Sequence, residues 1–320
     1  DPDLPRGVIV SDTLSRRYQR IAFVRSLVSL FLTLEFWTEV RSHPSLLFRW
    51  RFWKDSLRAV ISSDVFRSLK GDYDLYYTYW FSGETTGMTF SGVSPVVSRA
   101  HGYDLYLERR ENAGWIPYRE IDLANLSKVI VLSARAGEYL EKTYQFDTTR
   151  VDVSPLGVAD RQAVSFNVTD LDKEVLFFSC SFPAGVKRLP LIFQFAVRFA
   201  QTHACKRVRW VHIGAHLRDI VGQDQIELLP ANLTVEAKGL QSNEFVMRFM
   251  ESEPVSFFVN LSETEGLPVS IMEAMAYGIP AVATDVGCTA DLLEGGAGVL
   301  VPPDICVDEL VDQVSVVASD

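Results

Sequence analysis

From residue 175 onward, short apolar runs and amphipathic segments take turns with a regularity that few folds accommodate. VLFFSC (175–180) suits a buried strand, and RLPLIFQFAVRFAQTHA (188–204) follows it with apolar residues at helical spacing. VRWVHIG and LTVEAKG are further strand candidates. SNEFVMRFMESEP opens on Ser242 or Asn243 as a helix cap and then runs apolar at every third and fourth position. VSFFVNLS, PAVATDV and GVLVPP complete the set, with helical stretches between them, the last over CTADLLEG. Strands separated by helices of this length do not pair as hairpins. They form a parallel, doubly wound α/β sheet.

The first half is less regular. Residues 14–70 read as a mostly helical insertion, including IAFVRSLVSLFLTLEFW (21–37), which Arg25 and Glu35 interrupt too much for it to span a bilayer. It reads as a core-facing helix, with docking on a membrane surface as the rival reading. DLYYTYW, VSPVVSRAHG and SKVIVLS then read as three strands, and RVDVSPLGV as a fourth ending near Gly157. A second, smaller α/β unit results. ADRQAVSFNVTDLDKE is polar and without strong periodicity, so the expected boundary lies near residue 160, dividing the chain into 1–160 and 161–320.

A hydrophobic fraction of 48% with 22% charged residues excludes disordered and fibrous classes, and 320 residues suffice for two domains. The net charge of -10 belongs to the second half: residues 161–320 carry 11 basic and 21 acidic side chains, against 20 of each in residues 1–160. Residues 6–70 hold 12 Lys or Arg against 5 Asp or Glu, which suits either an anionic lipid or phosphate-bearing partner or a solvated helical face. Cys180, Cys205, Cys288 and Cys306 form no CxxC pair, so neither zinc nor a disulfide framework is expected and a reducing compartment fits. The sequons at Asn125, Asn167, Asn232 and Asn260 read as chance, since Asn260 ends what looks like a buried strand. No signal peptide is visible, and both ends of the chain look cut, as in a fragment.

The stretch TEGLPVSIMEAMAYGIP (264–280) sets Glu265 and Glu273 eight positions apart in a run that is otherwise small or apolar. On one continuous helix that spacing separates the acids by about 12 Å and roughly 80°. Pro268 suits the first position of a helix, and Gly266 permits a turn before it, so the expected helix starts between the two glutamates. They then flank a helix amino end, whose free N–H groups and positive dipole suit a phosphate. Carboxylates on either side accept hydroxyls, so a nucleotide sugar has the matching layout. The plain alternative is a loop charge and an exposed helix position. Against it, Ile271, Met272, Ala274, Met275 and Ala276 surround Glu273, and a carboxylate in that company needs a hydrogen-bonding partner.

ETEGLPVSIMEAMAYGIPAVATDVG resembles the E-x7-E signature of retaining glycosyltransferases of family 4, of the GT-B architecture, in which two Rossmann-like doubly wound domains face a cleft. The resemblance extends over most of residues 73–305 and is most specific at 258–287. It implies that Glu265 touches the donor sugar's hydroxyls, that Glu273 binds the ribose, and that the turn Gly266, Leu267, Pro268, Val269 lies close to sugar and diphosphate, with Ser270 at the helix amino end. SCSFPAGVKRLPLIFQF is similar to the segment in which such enzymes place an Arg and, five residues later, a Lys on the phosphates. Lys187 occupies the lysine position, Phe182 stands in the arginine position, and Arg188 is the nearest substitute charge. SRAHGYDLYLE is similar to the His-Gly motif of capsular and lipopolysaccharide-type members, which implies that His101 faces the donor sugar. His203, His212 and His216 have no such setting and read as structural or surface.

The resemblance implies an N-terminal acceptor-side domain and a C-terminal donor domain. No glycine-rich turn follows an apolar strand in residues 1–70, so the N-terminal domain is expected to be incomplete. The implied activity is transfer of a hexosyl unit from a UDP- or GDP-sugar to a carbohydrate or lipid-linked acceptor in bacterial envelope polysaccharide synthesis. Glu265, His101 and Lys187 would act on the reacting sugar and diphosphate, and Glu273, Arg188 and residues 266–270 would hold the donor. No metal or other cofactor is expected. The implied location is cytoplasmic, at the inner face of the membrane if residues 6–70 dock there, and no nucleic-acid partner is expected. The rival readings are a nucleotide-sugar epimerase of the same fold and a non-catalytic nucleotide-sugar-binding module.

Overall fold

A computed structural model of the chain describes residues 29–109, 114–160, 171 and 173–318. The chain divides into two compact units, Asp1–Ser154 and Pro155–Asp320.

Among the described residues the first unit holds helices α1 (Leu34–Ser42), α2 (Trp50–Ser68), α3 (Gly83–Ser91), α4 (Gly102–Leu105), α5 (Arg119–Asn125) and α6 (Ala134–Tyr144). They pack around the short strands β1 (Tyr76–Thr78), β2 (Val96–Arg99), β3 (Lys128–Val131) and β4 (Val151–Val153), a parallel sheet in the order β1-β2-β3-β4. The expected strands are all present, although the fourth ends at Val153, short of Gly157. The single helix expected over 21–37 is not continuous. Thr33 has extended backbone (φ -84, ψ 121), and its hydroxyl donates to the Ser29 carbonyl at 2.8 Å, so α1 starts afresh at Leu34. Leu30 and Phe36 face the interior while Leu32 and Leu34 lie in solvent. Residues 21–28 of that stretch, and 6–28 of the basic segment, fall outside the described residues. Among the described residues no helix is long and apolar enough to cross a membrane.

This unit has an ionic interior. Arg119 is buried with its guanidinium 3.3 Å from the centre of the Phe81 ring, and its Nη2 donates to the carbonyls of Phe81 and Asp104. Asp104 accepts the backbone N–H of Phe81 at 2.8 Å and that of His101 at 2.5 Å. Asp122 accepts the hydroxyls of Thr86 and Thr89, each at 2.9 Å. Burial pushes both carboxyls up to about 7 against the pull of Arg119.

The second unit carries β5 (Glu174–Cys180), α7 (Leu189–Thr202), β6 (Arg207–Ile213), α8 (Gln223–Ile226), β7 (Leu233–Ala237), α9 (Asn243–Ser252) and β8 (Phe257–Asn260). It continues with α10 (Val269–Ala276), β9 (Ala281–Thr284), α11 (Thr289–Leu293), β10 (Gly298–Val301) and α12 (Val307–Val317). Its six parallel strands run in the order β10-β9-β8-β5-β6-β7, which is the doubly wound order of a dinucleotide-binding fold. Strand residues alternate between faces. Val175, Phe177, Trp210 and Val282 pack with α7 and α12, whereas Leu176, Phe178, Val211 and Ala283 pack with α9 and α10. Both faces are covered, so the strands read as unbroken apolar runs. Winding reverses between β5 and β8, which are paired with Phe177 opposite Phe257.

Candidate functional site

Where winding reverses, the loops leaving the carboxyl ends of neighbouring strands diverge and leave a crevice between them. In the second unit those loops are 181–188, after β5, and 261–268, after β8. They contain Lys187 and Glu265. A backbone bond from Glu263 N–H to the Val186 carbonyl (2.8 Å) stitches them together. Lys187 Nζ lies 2.6 Å from Glu265 Oε1, and Asn260 Nδ2 donates to the same oxygen at 3.1 Å. Asn260 is itself held, since its Oδ1 accepts the backbone N–H (3.2 Å) and hydroxyl (2.6 Å) of Ser262. The Ser262 carbonyl in turn accepts Thr284 Oγ1 at 2.6 Å. The Glu265 side chain is 10% exposed and that of Lys187 29%, so the ion pair is shielded on the carboxylate side and reachable on the ammonium side.

Arg188 is built into the scaffold. Its Nε donates to the Leu261 carbonyl at 2.5 Å, Nη1 to Pro303 at 2.7 Å and Nη2 to Ser262 at 3.4 Å, which ties together the loops after β5, β8 and β10. Phe182, in the position where the resemblance implies arginine, is 68% exposed.

Pro268 does not occupy the first helical turn. Its ψ of 96° is extended, so it is the N-cap and α10 begins one residue later, at Val269. Its carbonyl accepts the amides of Ile271 and Met272, which leaves those of Val269 and Ser270 ahead of the first intrahelical bonds. Glu265 therefore lies in the loop before the helix and Glu273 on the helix, with the amino end between them. Gly266 and Leu267 complete the turn, and the Gly266 carbonyl accepts Cys288 N–H at 2.9 Å. Gly287 allows this approach: its φ is +59, and a Cβ there would sit 2.3 Å from the Glu265 carbonyl oxygen.

Glu273 opens onto a pocket of about 250 Å³ that Asn243, Met247, Val269, Ala276, Tyr277 and residues 157–159 also line. Asn243 Nδ2 donates to Glu273 Oε1 at 3.1 Å, which supplies the partner its apolar neighbours require. The Cys180 thiol, at the end of β5, is pushed up to about 11 by burial, with the Glu273 charge adding to the shift.

His101 belongs to the first unit. It stands at the carboxyl end of β2 as the N-cap of α4, buried, with Nε2 2.9 Å from the Tyr79 carbonyl and its ring 4.3 Å from that of Trp80. Burial lowers its pKa more than the Tyr79 carbonyl raises it, so the imidazole is neutral at pH 7. The other histidines are structural or superficial: His43 lies against Trp115, His212 is fully buried on β6 beside Ser179 Oγ (2.8 Å), His203 stacks on Phe199, and His216 caps a short turn. The four cysteines are free thiols.

Lys187, Arg188, Glu265, Glu273 and residues 266–270 thus gather around the carboxyl edge of one sheet. Asn260, Ser262, Asn243 and Gly287 lie among them as well, without having been singled out in the sequence as site residues. Asn260 left one trace, as the lone polar residue closing an apolar strand.

Residues 175–320 match the family model of group 1 glycosyl transferases. Among solved structures the chain is similar to TarM, a protein of S. aureus, with a TM-score of 0.64 and 18% identity over 81% of this chain and 51% of that one. It is also similar to the lipopolysaccharide outer core galactosyltransferase WaaB (TM-score 0.62, 18% identity, 85% and 72% covered). A third likeness is to Anabaena HepE, solved in complex with UDP (0.60, 17%, 81% and 72%). The chain spans about half the length of TarM. No curated protein matches it in sequence. At these identities the likeness carries the fold and not the substrate. The chain therefore has the parallel α/β fold of the GT-B glycosyltransferases, and most of its second unit matches the group 1 glycosyl transferase model.

Proposed function

We propose that the protein is a retaining, metal-independent glycosyltransferase of family 4. In this reading it moves a hexosyl unit from a nucleotide-diphosphate sugar to a carbohydrate or lipid-linked acceptor in envelope polysaccharide synthesis, on the cytoplasmic side of the membrane. The observation that carries the reading is the ion pair of Lys187 and Glu265 at the sheet's reversal, beside the free amino end of α10. UDP in the HepE structure and the lipopolysaccharide substrate in the name of WaaB support the same direction.

In this mechanism the diphosphate rests on the amides of Val269 and Ser270. Lys187 spends one of its three N–H donors on Glu265 and directs the others to the phosphate oxygens. As the bond from the anomeric carbon to the diphosphate breaks, negative charge grows where these donors already point, which is the electrostatic route to acceleration. The acceptor hydroxyl bonds to the anomeric carbon on the face the diphosphate leaves, and its proton passes to the departing phosphate oxygen. Glu265, with Oε1 held by Lys187 and Asn260, is suited to accept sugar hydroxyls and not to attack carbon. Glu273 receives the ribose. The test is turnover of UDP- and GDP-sugars by Lys187→Ala and Glu273→Ala proteins that remain folded. A fall of about 10²-fold or more is expected; unchanged turnover would sink the assignment.

A further inference from the structure

Glu273 is a three-torsion side chain on a helix surface, and nothing in α10 fixes where its carboxylate points. The group that does so comes from another part of the fold. Asn243, the first residue of α9, reaches across to place its Nδ2 3.1 Å from Glu273 Oε1. An ionised carboxylate only accepts, so the amide must present its N–H₂ side, and the pairing has a single polarity. Ser242 caps α9 by accepting Phe245 N–H at 3.2 Å, which leaves the Asn243 side chain free of capping duty. Both residues line the same pocket of about 250 Å³. Oε2 of Glu273 remains available toward that pocket, as do the further lone pairs of Oε1.

We propose that Asn243 is a positioning residue that pre-orients Glu273 to accept the two hydroxyls of a nucleoside's cis-diol. The inference rests on the nucleotide-sugar reading above. A bond between two exposed groups adds little to stability. Its effect lies in binding, because a carboxylate already held in one rotamer loses less entropy when the ligand arrives. Removing the amide therefore weakens ligands that carry the diol and spares those that lack it. An Asp in its place sets a like charge against Glu273 and turns the same contact repulsive.

The experiment is calorimetric titration of the wild-type protein, Asn243→Ala and Asn243→Asp with UDP and GDP, and with the 2′,3′-dideoxy analogue of whichever binds. Affinity for the ribonucleotide is expected to fall about tenfold in the Ala variant, the scale of one charge-assisted hydrogen bond, and further in the Asp variant. The dideoxy analogue should bind all three proteins alike. In turnover the donor KM should rise in Asn243→Ala with kcat preserved. Equal ribonucleotide affinity in the wild-type and Ala proteins overturns the role of Asn243 and leaves the proposed activity standing. An equal loss for ribo- and dideoxynucleotides also overturns it, since it marks a packing effect. Failure of the wild-type protein to bind either nucleotide overturns both readings.

Discussion

Both units are parallel α/β sheets wrapped in helices, yet they treat charge in opposite ways. The first buries Arg119 with Asp104 and Asp122 among Thr86, Thr89 and Phe81. The second keeps its two core layers almost wholly apolar, with the Ser179, Trp210 and His212 cluster as the main exception, and sets Lys187 and Glu265 at the strand ends. Fully buried ions are costly to desolvate and hold their neighbours in place only while every partner remains. A pair at a sheet's carboxyl edge whose ammonium is partly exposed has donors left for a ligand. The same residue types are thus scaffold in one unit and, in the proposed reading, chemistry in the other, and accessibility separates the two roles.

The largest expected effect tests that separation directly. Arg119→Ala leaves two buried carboxyls without their cation and should cost about 3–5 kcal/mol in urea unfolding. Lys187→Ala removes a partly exposed charge and leaves the buried Glu265 with Asn260 as a partner, so it should cost less, about 1–3 kcal/mol, while abolishing most of the turnover. If the two variants lose comparable stability, the contrast between the units fails.

A pH titration comes next. Asp104 and Asp122 have folded-state pKa values raised from the ordinary 3.8 to about 7, so the folded chain holds their protons more tightly than the unfolded chain does. Their contribution to stability is fully present below about pH 4, is lost as pH rises toward 7, and is level above. Carboxylates held low by hydrogen bonds, Asp147 by Thr149 and Glu236 by Lys238, contribute the opposite slope. The diagnostic is therefore a difference: between pH 4 and 7 the thermal stability of Asp122→Asn should fall less, or rise more, with pH than that of the wild-type protein. Identical profiles would show that Asp122 does not titrate in this range.

The contrast also explains what the sequence disclosed. Strands β5, β6 and β8 are buried on both faces, so each appears as an apolar run, and the alternation led directly to the doubly wound sheet. The first unit's strands are three or four residues long, and its interior contains acids and an arginine, so hydrophobic pattern alone carries little of it. Arg119 and Asp122 look like surface residues in REIDLAN. Among the candidate site residues, Glu265 and Glu273 stood out because proline and glycine mark where a helix can start, and Lys187 stood out through the family resemblance alone. Their partners Asn260 and Asn243 did not, because the pairing depends on which loops the sheet order brings together. Pro268 shows the limit of local rules: its ring fixes φ but not ψ, and the extended ψ moved the helix start by one residue.

Glycine substitutions give an intermediate effect. Gly287→Ala meets both a left-handed φ of +59 and a Cβ 2.3 Å from the Glu265 carbonyl. Gly278 has φ +75 and nothing within 4 Å of an added Cβ. Gly278→Ala should therefore cost the conformational strain alone, about 1–2 kcal/mol, and leave turnover intact. Gly287→Ala should cost more and raise the donor KM by displacing the loop that carries Glu265. Equal kinetics in the two variants would remove Gly287 from the site.

The smallest effects test whether the units differ in anything besides ion placement. Ser133 Oγ accepts Ala136 N–H at 3.2 Å at the start of α6, and Ser242 Oγ accepts Phe245 N–H at 3.2 Å at the start of α9. The two caps are alike in chemistry and distance, one in each unit. Each Ser→Ala change should cost about 1 kcal/mol in urea unfolding. Matched costs would confine the difference between the units to where their ions lie. A cost in Ser133→Ala well above that in Ser242→Ala would trace to burial, since Ser133 is buried and Ser242 exposed.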